Sequence, residues 1–568
     1  MATRGQDRRA QTAPASKHGP ERSIDAVQRT LRRLLPSLAH LPLATSGAVR
    51  RFADDPARGR AALERAVPSV GRRRSGDDLP LVALDRAVAE DRYGVARELL
   101  DRIAPQDPAR GGAELAVDRL AGHLHRVAES ATSDARGRRA VRRARADLQV
   151  LGSPLPTWCA QPSEPRGSKE PRILHVVTNS LPRVQAGSTI RTQRIARAQR
   201  DAGWDAQVVT RPGYPVTRGE AWARAREEVD GVTYHRLLPW IMPDEPRIPE
   251  VYARELGALV DRLRPELLHA ASDQVNARAA LEVGRRAGLP VAYEARSFFE
   301  DTWLGRHGSD PTADTYRLLR DRHTEILLSA DVVTTLGEAM REEIIARGVA
   351  PDRVIVAPNA VPAPFLALPD RPKSAVRESL GLPAADLWVG SLATLNPDEG
   401  FDTLLQALAR LRADGADARA LIVGDGPATA DLRELAGQLN VPVVMPGRVA
   451  VADVLPWYDA LDVFAFPRHD TALNRLVTGL KPVEAQARGI PVVGSDLPAV
   501  HEVLGPGGAL VAPGDVEAFA TALAGLLGES VRAERGRAAR DWVGQTRTWP
   551  RVMEAYRAAY SFGGISAA

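Results

Sequence analysis

Polar and charged residues cluster directly after an apolar run in the second half of the chain. The run VFAFP (463–467) is followed closely by Arg468, His469, Asp470, Asn474, Arg475, Lys481 and Glu484. Arginine and lysine side chains neutralise a diphosphate, and a glutamate near a helix start accepts hydrogen bonds from ribose hydroxyls. Gly479 and a helix starting near Pro482 would add backbone N–H groups to the same anion site. The stretch predicts a site for a phosphorylated ligand; a solvated charged loop is the alternative.

Two glycine-containing turns are further candidates for anion binding. Gly187 lies in SLPRVQAGSTIRTQR (180–194), just before a predicted helix, where free N–H groups and the helix dipole favour an anion. Gly424 and Gly426 lie in a second turn after another apolar run. For both turns, an ordinary strand-to-helix connection is the alternative interpretation.

Short apolar runs alternating with helical segments must position these residues. The first series of runs covers 173–178, 206–210, 267–270, 290–295, 332–335 and 354–358. The second covers 387–391, 420–425, 442–447, 463–467, 491–495 and 509–512. Continuous apolar runs of this length are typical of buried parallel strands. The pattern predicts two doubly wound α/β domains that enclose a cleft, with ligands at the carboxyl ends of the strands.

The first 171 residues have a different composition. Residues 1–23 are polar and basic, which predicts a disordered tail. Residues 24–150 are rich in Ala, Leu and Arg, with apolar residues at helical spacing, so we expect an all-α region. Residues 151–171 are rich in Pro, Ser and Gly and predict a linker.

Length, cysteine content and hydropathy exclude several protein classes. A chain of 568 residues is long enough for several packed domains, and its one cysteine, Cys159, cannot form an internal disulfide. No segment approaches the roughly 18 to 20 apolar residues of a membrane-spanning helix, and the first residues lack an apolar signal core. We therefore expect a cytoplasmic protein.

The positive charge is concentrated in one part of the chain. Residues 1–150 contain 29 Lys and Arg against 19 Asp and Glu, whereas the remainder contains 47 against 52. The arginine clusters are Arg72, Arg73 and Arg74, then Arg138, Arg139, Arg142, Arg143 and Arg145. They suggest contact with a protein or with the anionic inner face of the cell membrane, or simply a solvated helix face. Nucleic acid is an unlikely partner because aromatic residues for base stacking are nearly absent there.

Several sequence blocks between residues 172 and 560 carry a family resemblance. They are AGSTIRTQRIARAQRDAGWDAQVV (186–209), GSLATLNPDEGFDTLLQALARL (390–411), LIVGDGP (421–427), LPWYDALDVFAFPR (455–468) and LKPVEAQARGIPVVGSDLPAVHEVL (480–504). In order and spacing they resemble retaining family 4 glycosyltransferases of the GT-B fold, in a bacterial subgroup with an LKP-x-E motif. The resemblance implies sugar transfer from a nucleoside diphosphate donor to an acceptor that the sequence does not identify.

The resemblance also implies the domain organisation. A GT-B enzyme has two Rossmann-like domains that face each other across a cleft. The expected parts are an N-terminal acceptor domain at 172–365, a C-terminal nucleotide-sugar domain at 366–545 and a helix at 546–568 that returns to the first domain. The nucleotide sugar is a co-substrate in this family, so no cofactor is expected and no metal is required.

Carried over position by position, the resemblance implies a donor site. Glu484 would hold the donor ribose, and Gly187 would face the donor phosphates across the cleft. The other implied donor contacts are Ser391, Gly447, Arg448 and Val449 near the base or diphosphate, and Gly479 and Leu480 at the diphosphate.

Two departures from the family pattern concern charge. Where the family has a glutamate that contacts the transferred sugar, this chain has Leu476. The usual Arg and Lys of the diphosphate clamp are replaced by Ser391 and Glu399. We therefore expect Arg468 and Lys481 to supply the cationic charge, and together with Glu484 they are the predicted catalytic residues.

Further candidates lie on both sides of the expected cleft. Glu294 and Arg296, after an N-domain strand, and His469 and Asp470, after a C-domain strand, are expected to contact sugar or acceptor. The alternatives are an Arg–Glu pair that braces the loop and solvated loop side chains. Because of the missing clamp residues, a non-catalytic nucleotide-sugar-binding protein is the alternative function, as is a basic helical interaction module with a degenerate transferase core.

Overall fold

The computed structural model describes residues 79–155, 170–220, 223–239, 247–308, 310–384 and 386–562. The predicted tail at 1–23, residues 24–78 of the expected helical region and most of the expected linker lie outside the described residues. Residues 215–220 and 223 belong to a separate small unit, in which Val216–Arg218 form a 3₁₀ turn. All elements described below belong to one large unit.

Five helices form the described part of the N-terminal region. They are Leu79–Ala89 (α1), Tyr93–Asp101 (α2), Arg110–Leu120 (α3), Leu124–Glu129 (α4) and Ala135–Gly152 (α5). Leu84, Leu100 and Leu120 are buried in a core between α1, α2 and α3. Leu124 and Val141 belong to a second core between α4 and α5. The three- and four-residue spacing of apolar side chains thus produces antiparallel helices that cover one another.

The first Rossmann-like domain contains an eight-stranded sheet. Its strands are Arg172–Val177 (β1), Asp205–Thr210 (β2), Arg226–Val229 (β3), Val232–Arg236 (β4), Leu267–Ala271 (β5), Val291–Ala295 (β6), Val332–Thr335 (β7) and Val354–Val356 (β8). The strand order is β3-β4-β2-β1-β5-β6-β7-β8, and every neighbouring pair is parallel except β3 with β4. The hairpin of β3 and β4 was missed by the sequence analysis. Asp230 and Gly231 at its turn both have positive φ, as a two-residue hairpin turn requires.

Helices cover this sheet. They are Gly187–Asp201 (α6), Ile248–Leu263 (α7), Gln274–Ala287 (α8), Phe299–His307 (α9), Asp314–Ser329 (α10) and Glu338–Ala346 (α11), followed by the 3₁₀ turn Pro351–Arg353. Leu174, Leu268 and Tyr293 on the strands pack with Leu256 and Ile326 on the helices, and all five are fully buried.

The second Rossmann-like domain contains a six-stranded parallel sheet. Its strands are Leu387–Leu392 (β9), Ala418–Val423 (β10), Val443–Gly447 (β11), Val463–Phe466 (β12), Val492–Ser495 (β13) and Ala509–Val511 (β14), in the order β11-β10-β9-β12-β13-β14. The connecting helices are Ala363–Leu366 (α12), Lys373–Ser379 (α13), Phe401–Ala413 (α14), Thr429–Gln438 (α15), Leu455–Asp459 (α16), Ala472–Leu476 (α17), Lys481–Ala487 (α18), Pro498–His501 (α19), Val516–Ala524 (α20) and Glu529–Thr546 (α21). The 3₁₀ turns are Pro397–Glu399 and Val451–Asp453. The predicted fold class is confirmed.

The last described helix, Trp549–Ser561 (α22), packs on the first domain. Tyr556 and Tyr560 are fully buried in a cluster with Ile173 of β1 and Ile195 of α6. The chain crosses between the domains beside a parallel bridge from Val361 to Thr548. The end of the chain therefore stabilises the sheet of the first domain.

The N-terminal helices dock on the first domain. The backbone of Gly122 comes so close to the Trp303 ring that a Cβ atom there would lie 2.6 Å from a ring carbon. The His307 imidazole lies 3.1 Å from the Asp91 carboxylate, and the backbone N–H of His125 donates to Asp314 at 2.9 Å. These contacts fix α1 to α5 against α9 and α10. No helix in the described ranges is long and apolar enough to cross a membrane.

Candidate active site

The Glu484 carboxylate lies at the centre of a charged cluster between the two domains. It is in the first turn of α18 and only 1% exposed. Its Oε2 accepts hydrogen bonds from the Tyr458 hydroxyl at 2.6 Å and from Lys481 Nζ at 2.9 Å. Its Oε1 lies 2.7 Å from Arg194 Nη2, and Arg194 belongs to α6 of the first domain. Both carboxylate oxygens of Glu484, the residue predicted to bind the donor ribose, thus have a protein partner. The partner of Oε1 belongs to the first domain.

These partners keep Glu484 ionised. Burial by itself would raise its pKa, but the positive charges of Lys481 and Arg194 and the hydrogen bond from Tyr458 outweigh that effect and lower the pKa to about 2. The carboxylate is therefore a hydrogen-bond acceptor at every pH near neutrality.

Arg468 is held by three contacts after strand β12. Its Nε and Nη2 donate to the two oxygens of Glu399 at 3.3 and 3.2 Å, and its Nη1 donates to the Val477 carbonyl at 2.9 Å. Its guanidinium carbon lies 4.4 Å from the centre of the Phe466 ring. Glu399, which replaces a cation of the usual clamp, thus binds the arginine that we expect to supply the charge instead.

Backbone geometry near α18 explains one of the predicted glycines. A Cβ atom on Gly479 would lie 2.6 Å from Phe466 Cζ and 3.2 Å from Pro482 Cδ, so only glycine fits between them. Leu480 is the N-cap residue of α18. The tight packing brings the backbone of this turn next to the aromatic ring on which Arg468 stacks.

The segment expected to contact the base follows strand β11. Gly447, its last residue, has a positive φ of 85°, and its carbonyl accepts from the N–H of Gly424 at 3.0 Å. Arg448 is exposed, whereas Val449 is half-buried against the core of this domain. The left-handed backbone at Gly447 turns the chain away from the sheet edge.

The loop between β1 and α6 faces the second domain. Gly187 is the first residue of α6 and is exposed, with open space around its α-carbon. The preceding N–H of Ala186 donates to Thr189 Oγ1 at 3.0 Å. Gln185 Oε1 accepts from the Val451 N–H of the second domain at 3.3 Å. The Gly187 turn therefore lies where the two domains meet.

The Glu294 carboxylate lies in the interior of the first domain. It is fully buried and is bound by Arg191 Nε at 2.8 Å, Arg296 Nε at 2.9 Å, His269 Nε2 at 3.2 Å and the Tyr556 hydroxyl at 3.1 Å. Burial alone would raise its pKa, but the charges of Arg296 and Arg191 hold that pKa well below its ordinary value. Each oxygen of Glu294 is bound by two side chains, whereas Oε1 of Glu484 is bound by Arg194 alone among the described residues. This difference argues against a sugar or acceptor contact at Glu294 and leaves one possible at Glu484.

Arg296 connects this buried carboxylate to the Gly187 turn. Its Nη1 donates to the Ser188 carbonyl and to Thr192 Oγ1, both at 2.8 Å. Arg296 is 9% exposed, and its other nitrogens bind Glu294. The arrangement corresponds to the alternative named above, an Arg–Glu pair that braces a loop, and the braced loop is the start of α6.

The remaining predicted residues divide between surface and interior. His469 is half-buried, with its Nε2 2.9 Å from an Asp402 oxygen, and exposed Asp470 pairs with Arg475. Ser391 is 2% exposed at the end of β9. Among the described residues, no group of three or more His, Cys, Asp or Glu side chains is placed to hold a metal ion.

Leu476, at the position of the family's sugar-contacting glutamate, makes an apolar contact between the domains. Leu476 and Val477 pack against the core of the first domain. Nearby, the Glu502 carboxylate accepts from the N–H groups of Glu338 and Ala339 at 2.6 and 2.8 Å. The two domains are therefore in contact on this side of the cleft.

Sequence reasoning missed three residues of this site. Arg194 and Glu502 lie in the quoted blocks, yet their residue types and spacing carry no signal of a partner in the other domain. Tyr458 likewise carries no signal of its hydrogen bond to Glu484 within the second domain. In the sequence, Arg194 looks like any other arginine on the surface of an amphipathic helix. Its contact with Glu484 exists only because the two domains pack together.

Two family models match the chain. Residues 386–529 match the model described as glycosyl transferases group 1, and residues 186–360 match the glycosyl transferase 4-like domain. The matched segments correspond to the second and first Rossmann-like domains and together make up more than half of the chain.

Similar sequences include two bacterial mannosyltransferases. A GDP-mannose-dependent monoacylated alpha-(1-6)-phosphatidylinositol monomannoside mannosyltransferase from Corynebacterium glutamicum is 34% identical over 181 residues, which are 31% of this chain and 48% of that protein. A GDP-mannose-dependent alpha-(1-6)-phosphatidylinositol monomannoside mannosyltransferase from Mycolicibacterium smegmatis is 34% identical over 270 residues, 46% of this chain and 63% of that protein. The chain thus spans less than two thirds of these relatives' lengths.

Solved structures share the two-domain architecture. Sucrose-phosphate synthase from Thermosynechococcus elongatus aligns with a TM-score of 0.57 at 19% identity, covering 69% of this chain and all of that one. HepE from Anabaena, in complex with UDP-glucose, aligns with a TM-score of 0.55 at 18% identity, covering 69% and 99%. These likenesses show that the fold is GT-B, and its two Rossmann-like domains match a group 1 glycosyl transferase model and a glycosyl transferase 4-like domain.

Proposed function

We propose that the protein transfers a sugar from a nucleoside diphosphate donor to an acceptor, with retention of the anomeric configuration. The observation that carries the proposal is that Arg468, Lys481 and Glu484 follow strand β12 at the carboxyl edge of the second sheet, with Glu484 bound by Arg194 of the helix that begins at Gly187. Ligands of open α/β sheets bind at this edge. The donor nucleotide lies on the second domain and the acceptor on the first.

The mechanism is a front-side attack that requires no protein nucleophile. The acceptor hydroxyl approaches the sugar from the face that the diphosphate leaves, and the departing diphosphate takes up the hydroxyl proton. Glu484 orients the ribose, while Arg468 and Lys481 stabilise the charge that develops on the leaving oxygens. Glu399 keeps the Arg468 guanidinium in place.

Donor hydrolysis tests the reaction. The purified protein is incubated with GDP-mannose, UDP-glucose and other nucleotide sugars, and released nucleoside diphosphate is measured without acceptor. GDP-mannose is the first choice because both mannosyltransferase relatives depend on it by name. The anomeric configuration of a transferred sugar, read by NMR, then tests retention. An inverted product would contradict the proposed mechanism.

A non-catalytic nucleotide-sugar-binding protein is the second candidate, and Leu476 favours it. Its apolar contact with the first domain occupies the position of a sugar-contacting carboxylate. Thermal-shift measurements separate binding from turnover, because a ligand at a hundred times its Kd stabilises the protein by about 2.7 kcal/mol. Stabilisation by a nucleotide sugar that is never hydrolysed or transferred would support this candidate and contradict catalysis.

The basic face of α5 is proposed to bind an anionic membrane surface. This binding would bring the enzyme to a lipid-linked acceptor. Arg138, Arg139, Arg142 and Arg145 are exposed on this helix, and spacings of three and four residues bring them to one side. Exposed basic residues near anionic lipid contribute about 1 kcal/mol each. Both reported relatives are named for phosphatidylinositol-based acceptors, which supports the same location.

Vesicle sedimentation tests the membrane contact. The double variant Arg139→Glu with Arg142→Glu is expected to lose binding to phosphatidylserine-containing vesicles, and phosphatidylcholine vesicles should bind neither protein. Arg537→Glu with Arg557→Glu, two exposed sites on other helices, serves as the matched control. Equal loss in the control would mean that net charge, and not this helix face, determines the binding.

A further inference from the structure

Arg194 is a cation of the first domain that reaches into the charged cluster of the second. It lies on α6, two helical turns after Gly187, and its side chain is 11% exposed. Its guanidinium carbon lies 5.4 Å from the centre of the Phe365 ring, which itself packs edge-on against Tyr458. The aromatic rings hold the guanidinium in the layer that also contains the Glu484 carboxylate.

One nitrogen of this guanidinium is buried without a partner. Nη2 lies 2.7 Å from Glu484 Oε1, whereas Nη1 is buried and has no hydrogen-bond partner among the described residues. A buried N–H group left unpaired costs free energy, and the cost is larger for a charged group. A ligand oxygen that accepts a hydrogen bond from Nη1 would remove this cost.

The charges of the cluster point to an anionic ligand. Arg468 is paired with Glu399, and Lys481 is paired with Glu484, so each of these cations already has one carboxylate. Arg194 shares Glu484 with Lys481 and therefore adds one positive charge that no further carboxylate balances. A diphosphate carries about two negative charges, and its leaving group gains more as the sugar departs.

We infer that Arg194 is a donor-binding residue whose free Nη1 contacts a diphosphate oxygen of the nucleoside diphosphate sugar. The inference rests on the proposed function, because it uses the same donor site. Glu484 holds the ribose to which the diphosphate is attached, so a guanidinium fixed on Glu484 is close to the phosphates. The second domain has Ser391 and Glu399 where the family pattern has a cationic clamp. Arg194, from the first domain, thus supplies one of the missing positive charges. It also makes donor binding depend on a closed cleft.

Calorimetric titration of the full-length protein tests the inference. The probes are GDP, UDP and ADP, each compared with its nucleoside without phosphates. Arg194→Gln is expected to weaken the binding of the preferred diphosphate by about tenfold or more, the size of one lost charge-assisted hydrogen bond, and to leave nucleoside binding nearly unchanged. Arg194→Lys keeps the charge but has one nitrogen, which cannot bind Glu484 and a phosphate in the geometry of two guanidinium nitrogens, so it is expected to recover part of the affinity.

Arg197→Gln is the matched control. Arg197 lies on the same helix, is 56% exposed and pairs with Asp201, so its loss should leave diphosphate affinity unchanged. Thermal unfolding of each variant shows whether the fold is retained, and Arg194→Lys serves for the titration if Arg194→Gln unfolds. Wild-type affinity in Arg194→Gln, or an equal loss for diphosphate and nucleoside, would overturn the role of Arg194 alone. A wild-type protein that binds none of the diphosphates would overturn the proposed function as well.

Discussion

Two buried carboxylates, Glu294 and Glu484, keep their charge through different partners and act on different parts of the molecule. Glu294 is bound by Arg191 and Arg296 within the first domain, and its arginine partner fixes the start of α6. Glu484 is bound by Lys481 of its own helix and by Arg194 of the other domain. Both are fully ionised because neighbouring positive charges outweigh the cost of burial. The first carboxylate is structural, and the second is the predicted ribose ligand.

Replacement of Glu484 is expected to destabilise the fold in a pH-dependent way. Glu484→Gln leaves the largely buried Arg194 and the half-buried Lys481 short of a counter-charge, which lowers the free energy of unfolding by roughly 3 kcal/mol near pH 7. The pKa is lowered from 4.5 to about 2 in the folded protein, so the unfolded chain binds the proton first as pH falls. The difference between wild type and variant should therefore be complete above about pH 4.5 and shrink toward pH 2. Urea unfolding across this pH range measures it, and a pH-independent difference would contradict the assignment.

Glu294→Gln should act on stability through the first domain. Removal of the charge leaves Arg191 and Arg296 without their shared counter-ion in a fully buried site, at a cost of about 3 to 5 kcal/mol. Urea unfolding at neutral pH measures the loss, with Asp470→Asn as a surface control that should change little. An undiminished stability of Glu294→Gln would show that this carboxylate is not the structural centre that its contacts indicate.

Two short helices, α17 and α18, position most of the candidate site. Asn474 in α17 is buried and donates to the Asp398 carbonyl at 2.8 Å, which holds the Pro397–Glu399 turn and with it the partner of Arg468. The turn between the helices contains Gly479, pressed against Phe466. These helices have little stability of their own, so tertiary contacts must define their geometry.

Gly479→Ala should disturb this geometry. The added Cβ atom would lie 2.6 Å from Phe466 Cζ, and overpacking of this kind costs about 1 to 3 kcal/mol. Because Arg468 stacks on the same ring, nucleoside diphosphate affinity should fall together with the unfolding free energy. Gly437→Ala in α15, where open space surrounds the α-carbon, is the control and should be neutral or stabilising. Equal behaviour of the two variants would contradict the packing argument.

Side-chain contacts join the two Rossmann-like domains. Glu502 of the second domain accepts from two N–H groups at the start of α11 in the first, at 2.6 and 2.8 Å. A carboxylate at a helix start is favoured by the helix dipole as well as by these hydrogen bonds. Together with the Arg194–Glu484 pair, this contact joins the two Rossmann-like domains.

Glu502→Ala is expected to open the cleft. Loss of the cap removes two charge-assisted hydrogen bonds between the domains, so the radius of gyration measured by small-angle X-ray scattering should increase. Glu517→Ala, at an exposed site on α20, should leave the scattering unchanged. A nucleoside diphosphate that contacts both domains should reverse the expansion of Glu502→Ala. Identical scattering of Glu502→Ala and wild type would show that the remaining contacts suffice for closure.

The architecture could be predicted from the amino-acid sequence, because local periodicity encodes strands and helices. The apolar runs that became β1 and β9 are typical of buried parallel strands. The polar residues from Arg468 to Glu484 follow another such run, which predicts their place at the edge of a sheet. The antiparallel hairpin at Asp230 and Gly231 was within reach of the same reasoning, since its turn has a recognisable sequence.

Which charged side chains meet could not be predicted, because it depends on how the elements pack. Glu294 lies near the end of strand β6, where a residue that lines the cleft would be expected. Contacts with α6 and α22 instead bury it in the interior of the first domain. The sequence around Arg194 is typical of an exposed helix face, yet packing of the two domains brings its guanidinium into contact with the Glu484 carboxylate. The physical reason is that burial and ion pairing depend on groups far apart in the chain, whereas a sequence pattern reports only the environment that each segment creates for itself.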